Sequence, residues 1–113
     1  MEIDANMIRL VDSLNSLEGI DTMSSCGGHA DPEIGQAAEG EYYVSFEVDM
    51  RQGRPTRAAW ASVALIEWAA CQVGAAVLVW VNADEPDPLA LMFEVKGQGD
   101  PDKLAGILEE ILS

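Results

Sequence analysis

The sequence predicts an α/β fold of the α+β kind. It is a two-layer sandwich in the order α-β-β-α-β-β-α, with helices on one face of a four-stranded sheet. Three observations carry this reading. Residues 41–49 and 89–96 alternate apolar and polar side chains, as strands with one buried face do. Three other segments repeat apolar residues at helical spacing. The 113 residues, 49% of them hydrophobic, suffice for a single domain with a core and are too few for two.

The first helix opens at Asp4, a residue suited to the N-cap, with Ile3 and Ile8 at the staple positions. Met7, Leu10, Val11, Leu14 and Leu17 form its apolar stripe, and Gly19 ends it. Residues 20–25 are β-compatible. Residues 26–40 read as a loop punctuated by Gly27, Gly28, Pro32, Gly35 and Gly40. In the strand at 41–49, Tyr42, Val44, Phe46 and Val48 make the buried face. Residues 52–55 form a turn, and Thr56 caps a helix that runs to Val73. This helix is apolar nearly all round, which predicts burial on several sides or a subunit contact for Trp60 and Trp68. Residues 75–81 are apolar at every position, as in a central strand. An acidic turn at 84–88 leads to the strand at 89–96. Asp100 and Pro101 then start the last helix, whose stripe is Leu104, Ile107, Leu108, Ile111 and Leu112.

Six Lys and Arg against twenty Asp and Glu give a net charge of −14. Phosphate backbones and anionic lipid surfaces recruit basic residues, so this balance argues against nucleic acid and against membrane surfaces as partners. The apolar run at 58–81 is interrupted by Ser62, Glu67, Gln72 and Gly74, and reads as a helix followed by a strand, not a membrane span. The acidic N-terminus lacks the basic start of a signal peptide. The cytoplasm is the expected compartment, where Cys26 and Cys71 stay reduced.

Chemistry concentrates in Ser24-Ser25-Cys26-Gly27-Gly28-His29. The serines offer hydroxyls, and the glycines permit a backbone nest that binds anions. Cys26 and His29 suit a metal pair or a nucleophile–base pair, with Asp31 and Glu33 as further oxygen donors. A glycine turn around a small buried thiol is the plain alternative. Arg51, Arg54 and Arg57 hold half the positive charge of the chain within seven residues. They suit phosphate or carboxylate groups, or they neutralise nearby Glu47, Asp49 or other carboxylates. The expectation is one pocket lined by Ser24, Ser25, Cys26, Gly27, Gly28 and His29 and reached by at least one of the three arginines. Cys71, in an apolar helix, reads as inert.

Leu14-Asn15, a short gap, and then Thr22-x-Ser24-Ser25-Cys26-x-Gly28 resembles the N-terminal signature of the wybutosine-synthesis tRNA N4-methyltransferase family, which acts on a modified guanosine. Small bacterial and phage proteins with a Ser-Cys-x-Gly-His motif look similar too. The match covers residues 7–29. The resemblance implies S-adenosylmethionine as cofactor and places Ser24, Ser25, Cys26 and Gly28 in the ligand-facing site. His29 stands where the family pattern has Arg, and the chain is shorter than those enzymes. Three functions are therefore expected in competition: a small domain binding an anionic ligand at the loop, an S-adenosylmethionine-dependent methyltransferase-like enzyme, and a non-catalytic structural or interaction module of phage type. A divalent metal at Cys26 and His29 is a further expectation. So is a homodimer formed through the second helix or the less polar sheet face.

Overall fold

The computed structural model describes residues 3–82 and 90–113. A single 3-10 turn, Ala5–Met7, leads into α1 (Ile8–Asn15). Then come β1 (Ile20–Cys26), β2 (Glu41–Val48), a short hairpin of β3 (Met50–Arg51) and β4 (Arg54–Pro55), and α2 (Arg57–Gln72). The chain closes with β5 (Ala76–Asn82), β6 (Ala90–Gln98) and α3 (Pro101–Leu112). Four strands form one antiparallel sheet in the order β1-β2-β6-β5, and β3-β4 stands apart. This is the expected α+β sandwich. The expected turn at 52–55 is the tip of the β3-β4 hairpin, with Gln52 and Gly53 both at positive φ as a two-residue type I′ turn requires. The expected acidic turn at 84–88 lies outside the described residues.

Directly opposed residues of paired strands share a face. Ile20, Val44, Phe46, Val48, Phe93 and Val95 therefore lie together on the helix side, where all are buried. They meet Met7, Leu10 and Leu14 from the first helical segment, Ile66 and Ala70 from α2, and Leu104 and Leu108 from α3. Phe46 and Phe93 stack at the centre with ring centroids 5.6 Å apart. Burying each large apolar side chain contributes about 1.5–3 kcal/mol. The buried Ser62 is satisfied by donating to the Glu18 carbonyl at 2.7 Å, which also anchors α2 to the end of the first helical segment. Across the surface of the helix layer, Arg9 Nε donates to the Glu109 carboxylate at 2.9 Å and joins α1 to α3. That hydrogen bond holds the Glu109 carboxyl below its ordinary range.

Two of the expected caps are present. Thr56 Oγ1 accepts from the Ala59 N–H, and the Asp100 carboxylate accepts from the Asp102 N–H, with Pro101 at the first helical position. Asp4 makes no capping bond, and Ile3 and Ile8 are both exposed, so the expected staple is absent. Two further expectations need correction. Of the two alternatives for α2, burial on several sides does not hold: the helix is buried along one side, leaving Trp60 and Trp68 57% and 52% exposed, as a subunit contact would require. The all-apolar β5 is an edge strand, with Val79, Trp80 and Val81 exposed. The course of α2 accounts for its own exposed side and for Val79 and Val81, which lie opposite Phe93 and Leu91 on the helix side; Trp80 lies opposite Met92 on the face that carries no helix. The helix starts beside Gly19 and Asp49, where Thr56 N–H donates to the Asp49 carbonyl, and it reaches the sheet edge only where Ala75 N–H bonds back to Ala70. The far half of β5 extends past its cover. No helix among the described residues is long and apolar enough to cross a membrane.

The stacked pair at the centre makes a direct test of this core. Phe46→Ala should cost about 3–5 kcal/mol, the range for removing a fully buried aromatic ring. It is read as a lowered denaturant midpoint with an unchanged slope.

Candidate functional site

The site begins with an irregularity in β1. Its pairing with β2 shifts between Thr22 and Ser24, so Met23 is an extra residue, a β-bulge. Before the bulge, Thr22 lies opposite Phe46 on the helix side. After it, Ser25 lies opposite Val44 on that side, while Ser24 and Cys26 lie opposite Ser45 and Tyr43 on the other face. The bulge thus delivers the Cys26 thiol to the face of the sheet that carries no helix.

Two side-chain clips hold β1 in place. Asn15 Oδ1 accepts from the Thr22 N–H, and its Nδ2 donates to Thr22 Oγ1, both at 2.9 Å. This bidentate clip gives the Leu14-Asn15…Thr22 spacing a structural role: it locks the end of α1 to β1, with Leu14 in the core. The second clip brackets the Gly27 peptide. Its N–H donates to Asp4 Oδ2 at 2.8 Å, and its carbonyl accepts from Asn6 Nδ2 at 3.0 Å. A side chain at 27 would collide with Asn6. Gly28 has φ +98°, and a Cβ there would stand 2.7 Å from the Glu41 carbonyl oxygen, so this position also requires glycine.

The loop then folds back over Cys26. His29 N–H donates to the Ala37 carbonyl at 3.0 Å, and Ala37 N–H donates to Cys26 Sγ at 3.3 Å. Tyr43 Oη donates to the Gly35 carbonyl at 2.6 Å. Partial burial under this loop raises the Tyr43 phenol above its ordinary range, with smaller pushes from Cys26, Glu94 and Asp4. Asp4 Oδ2 and His29 Nε2 stand 3.6 Å apart. One donor atom each from Asp4, Cys26 and His29 lies within 4.8 Å of the other two. Cys26 is buried, whereas Asp4 and His29 keep 39% and 36% of their side chains exposed.

Of the residues expected to share a pocket, Cys26, Gly27, Gly28 and His29 do cluster, and Ser24 shares the Cys26 face. Ser25 lies on the opposite, core side. The six positions therefore do not all lie on one face of the sheet. The glycine N–H groups do not form an open anion nest either, because the Asp4 carboxylate already occupies the Gly27 donor. The oxygen donor beside Cys26 and His29 is Asp4, and Asp31 and Glu33 are exposed outside the cluster. The sequence pointed to Asp4 only as a helix cap; nothing local reveals a contact 23 residues away.

The arginines are elsewhere. Ile20 pairs with Val48 at one end of the sheet and Cys26 with Tyr43 at the other. Six residue steps of extended chain separate those ends by roughly 20 Å. Arg51, Arg54 and Arg57 follow directly on the Val48 end and do not meet the Cys26 loop. They line their own cleft of about 610 Å³ with Gln52, Pro55, Thr56 and Trp60. Arg51 and Arg54 face each other across the β3-β4 hairpin, and Arg57 opens α2. Among the described residues none of the three makes an ion pair, with Glu47, Asp49 or any other carboxylate.

Cys71 lies in the apolar helix α2 as expected but on its exposed side, and its thiol donates to Glu67 Oε1 at 3.0 Å. That bond is the main cause that raises the thiol above its ordinary range. A thiol with a raised value carries less thiolate at neutral pH, and thiolate is the nucleophile. Iodoacetamide should therefore modify the folded chain at Cys71 alone, slowly at pH 7 and faster as the pH rises through the thiol range. Cys26 should react only on unfolding. Peptide mapping checks both rates, and Glu67→Gln should quicken the Cys71 reaction at pH 7. No family model matches the chain, and neither the curated proteins nor the solved structures include a match to it.

Proposed function

We propose that this chain is a small binding domain for an anionic ligand, and that the ligand sits in the arginine cleft, not at the Cys26 loop. One observation carries the reading: in a chain of net charge −14, three of six cations line one cleft and none has a carboxylate partner among the described residues. Three neighbouring guanidinium groups repel one another, and among the described residues no carboxylate forms an ion pair with any of them. An external phosphate or carboxylate relieves that repulsion and is held by planar, multidentate donors. The exposed Trp60 ring on the cleft wall adds a flat surface for the apolar or aromatic part of such a ligand.

Calorimetric titration of the full chain with pyrophosphate, citrate and a mononucleotide tests this. Saturable binding that weakens with added salt is expected. Arg54→Ala should weaken it roughly tenfold to a hundredfold, the loss of one charge-assisted contact. S-adenosylmethionine serves as the competing probe. A saturating response to it, with none to the anions, returns the methyltransferase-like reading and removes this one.

We also propose that the domain is a homodimer. The supporting feature is the open hydrogen-bonding edge of β5, flanked by exposed Val79 and Val81 on the helix side and exposed Trp80 on the other face, with Leu65 and Trp68 exposed on α2. Light scattering should give twice the chain mass at high micromolar concentration. Val79→Lys should return the chain to a monomer, and a wild-type monomer under those conditions would refute the assembly.

A further inference from the structure

The geometry points to a divalent metal site of the zinc class at Asp4, Cys26 and His29, with an open fourth position. The donor set is the first reason. A thiolate, an imidazole and a carboxylate together suit borderline cations such as zinc and cobalt, not calcium or magnesium. The spacing is the second. Tetrahedral ligands at zinc bond lengths of about 2.0–2.3 Å lie roughly 3.3–3.6 Å from one another. Asp4 Oδ2 and His29 Nε2 stand 3.6 Å apart, too far for a good hydrogen bond between them and the right separation for two ligands of one ion. The three donor atoms lie within 4.8 Å of one another, so closing the set takes about an ångström of side-chain movement.

The outer contacts are the third reason. The Ala37 N–H aims at Cys26 Sγ, and the Gly27 N–H aims at the same Asp4 oxygen that faces His29. Backbone donors of this kind orient ligands in metal sites. Three protein ligands leave one position free, which is the arrangement of open sites and not of closed structural ones. Binding releases the Cys26 thiol proton to solvent and leaves a thiolate on the metal. Partial exposure of Asp4 and His29 gives the ion its entry path. The strongly negative field of the chain favours a cation here.

The test titrates the metal-free full chain with Co²⁺ and follows its electronic spectrum. One equivalent should bind with a thiolate-to-cobalt charge-transfer band, and Zn²⁺ should displace it while excess Mg²⁺ or Ca²⁺ should not. Cys71→Ser should keep the band, because that thiol is remote from the site. Asp4→Asn retains an acceptor for the Gly27 N–H, and His29→Ala retains the backbone bond to Ala37, so both should fold. Each should weaken Co²⁺ binding by roughly a hundredfold or more, beyond what an outer contact costs. Absence of the band in the wild-type chain overturns the site. So does its loss in Cys71→Ser, or unchanged affinity in either Asp4→Asn or His29→Ala. Arg54→Ala should bind Co²⁺ as the wild type does, which keeps this result separate from that of the arginine cleft.

Discussion

The alternation along β2 is the constraint that organises the molecule. Tyr42, Val44, Phe46 and Val48 point into the helix layer, and every strict step of two forces Tyr43 and Ser45 to the other face. Because β2 is an inner strand, it passes this division to β1 on one side and β6 on the other. One face becomes a dry core. The other is left to loops, and the long loop after β1 takes the part of it around Tyr43. The ends of the same strand set the functional geography: the Cys26 loop gathers at the Tyr43 end, and the arginine hairpin leaves from the Val48 end. Two groups that a single pocket would need to unite are held apart by the length of a rigid strand.

Charge is distributed with the same economy. Of the six cations, Arg9 is bound to Glu109 and three arginines share the cleft, leaving Lys96 and Lys103. Twenty carboxylates cannot be neutralised by such a set, so most of the surface repels itself. In that background a local basic cleft and a cluster of one carboxylate, one thiol and one imidazole are opposite exceptions. One suits anions and the other cations, and they occupy opposite ends of the sheet.

Much of the fold was legible because it follows from periods and caps. The alternation in 41–49, the cap at Thr56 and the Asp100-Pro101 start all act within a few residues, and all three appear as expected. What failed was non-local. Asp4 has the chemistry of a cap, yet a loop N–H far along the chain captures its carboxylate. Residues 75–81 carry the composition of a central strand, yet strand order is decided by the β2-α2-β5 crossover, which sets β5 at the edge with β6 between it and β2. The Cys26–His29 cluster was visible as a motif. Its third donor was not, and the arginines were misplaced for the same reason: spacing along a chain does not state which end of a sheet a hairpin leaves from.

The bulge at Met23 carries a consequence for how such a cluster arises or disappears. A strand is a two-phase object, and one extra residue inverts the phase of everything after it. With Met23 out of the ladder, Cys26 emerges beside Tyr43. Were Met23 instead taken into the ladder opposite Ser45, Ser24 would stand opposite Val44 and Cys26 opposite Tyr42 on the core side, away from Asp4 and His29, with the composition unchanged. A register slip of one residue, with no change to Asp4, Cys26 or His29 themselves, would convert a solvent-reaching donor set into an inert packing contact.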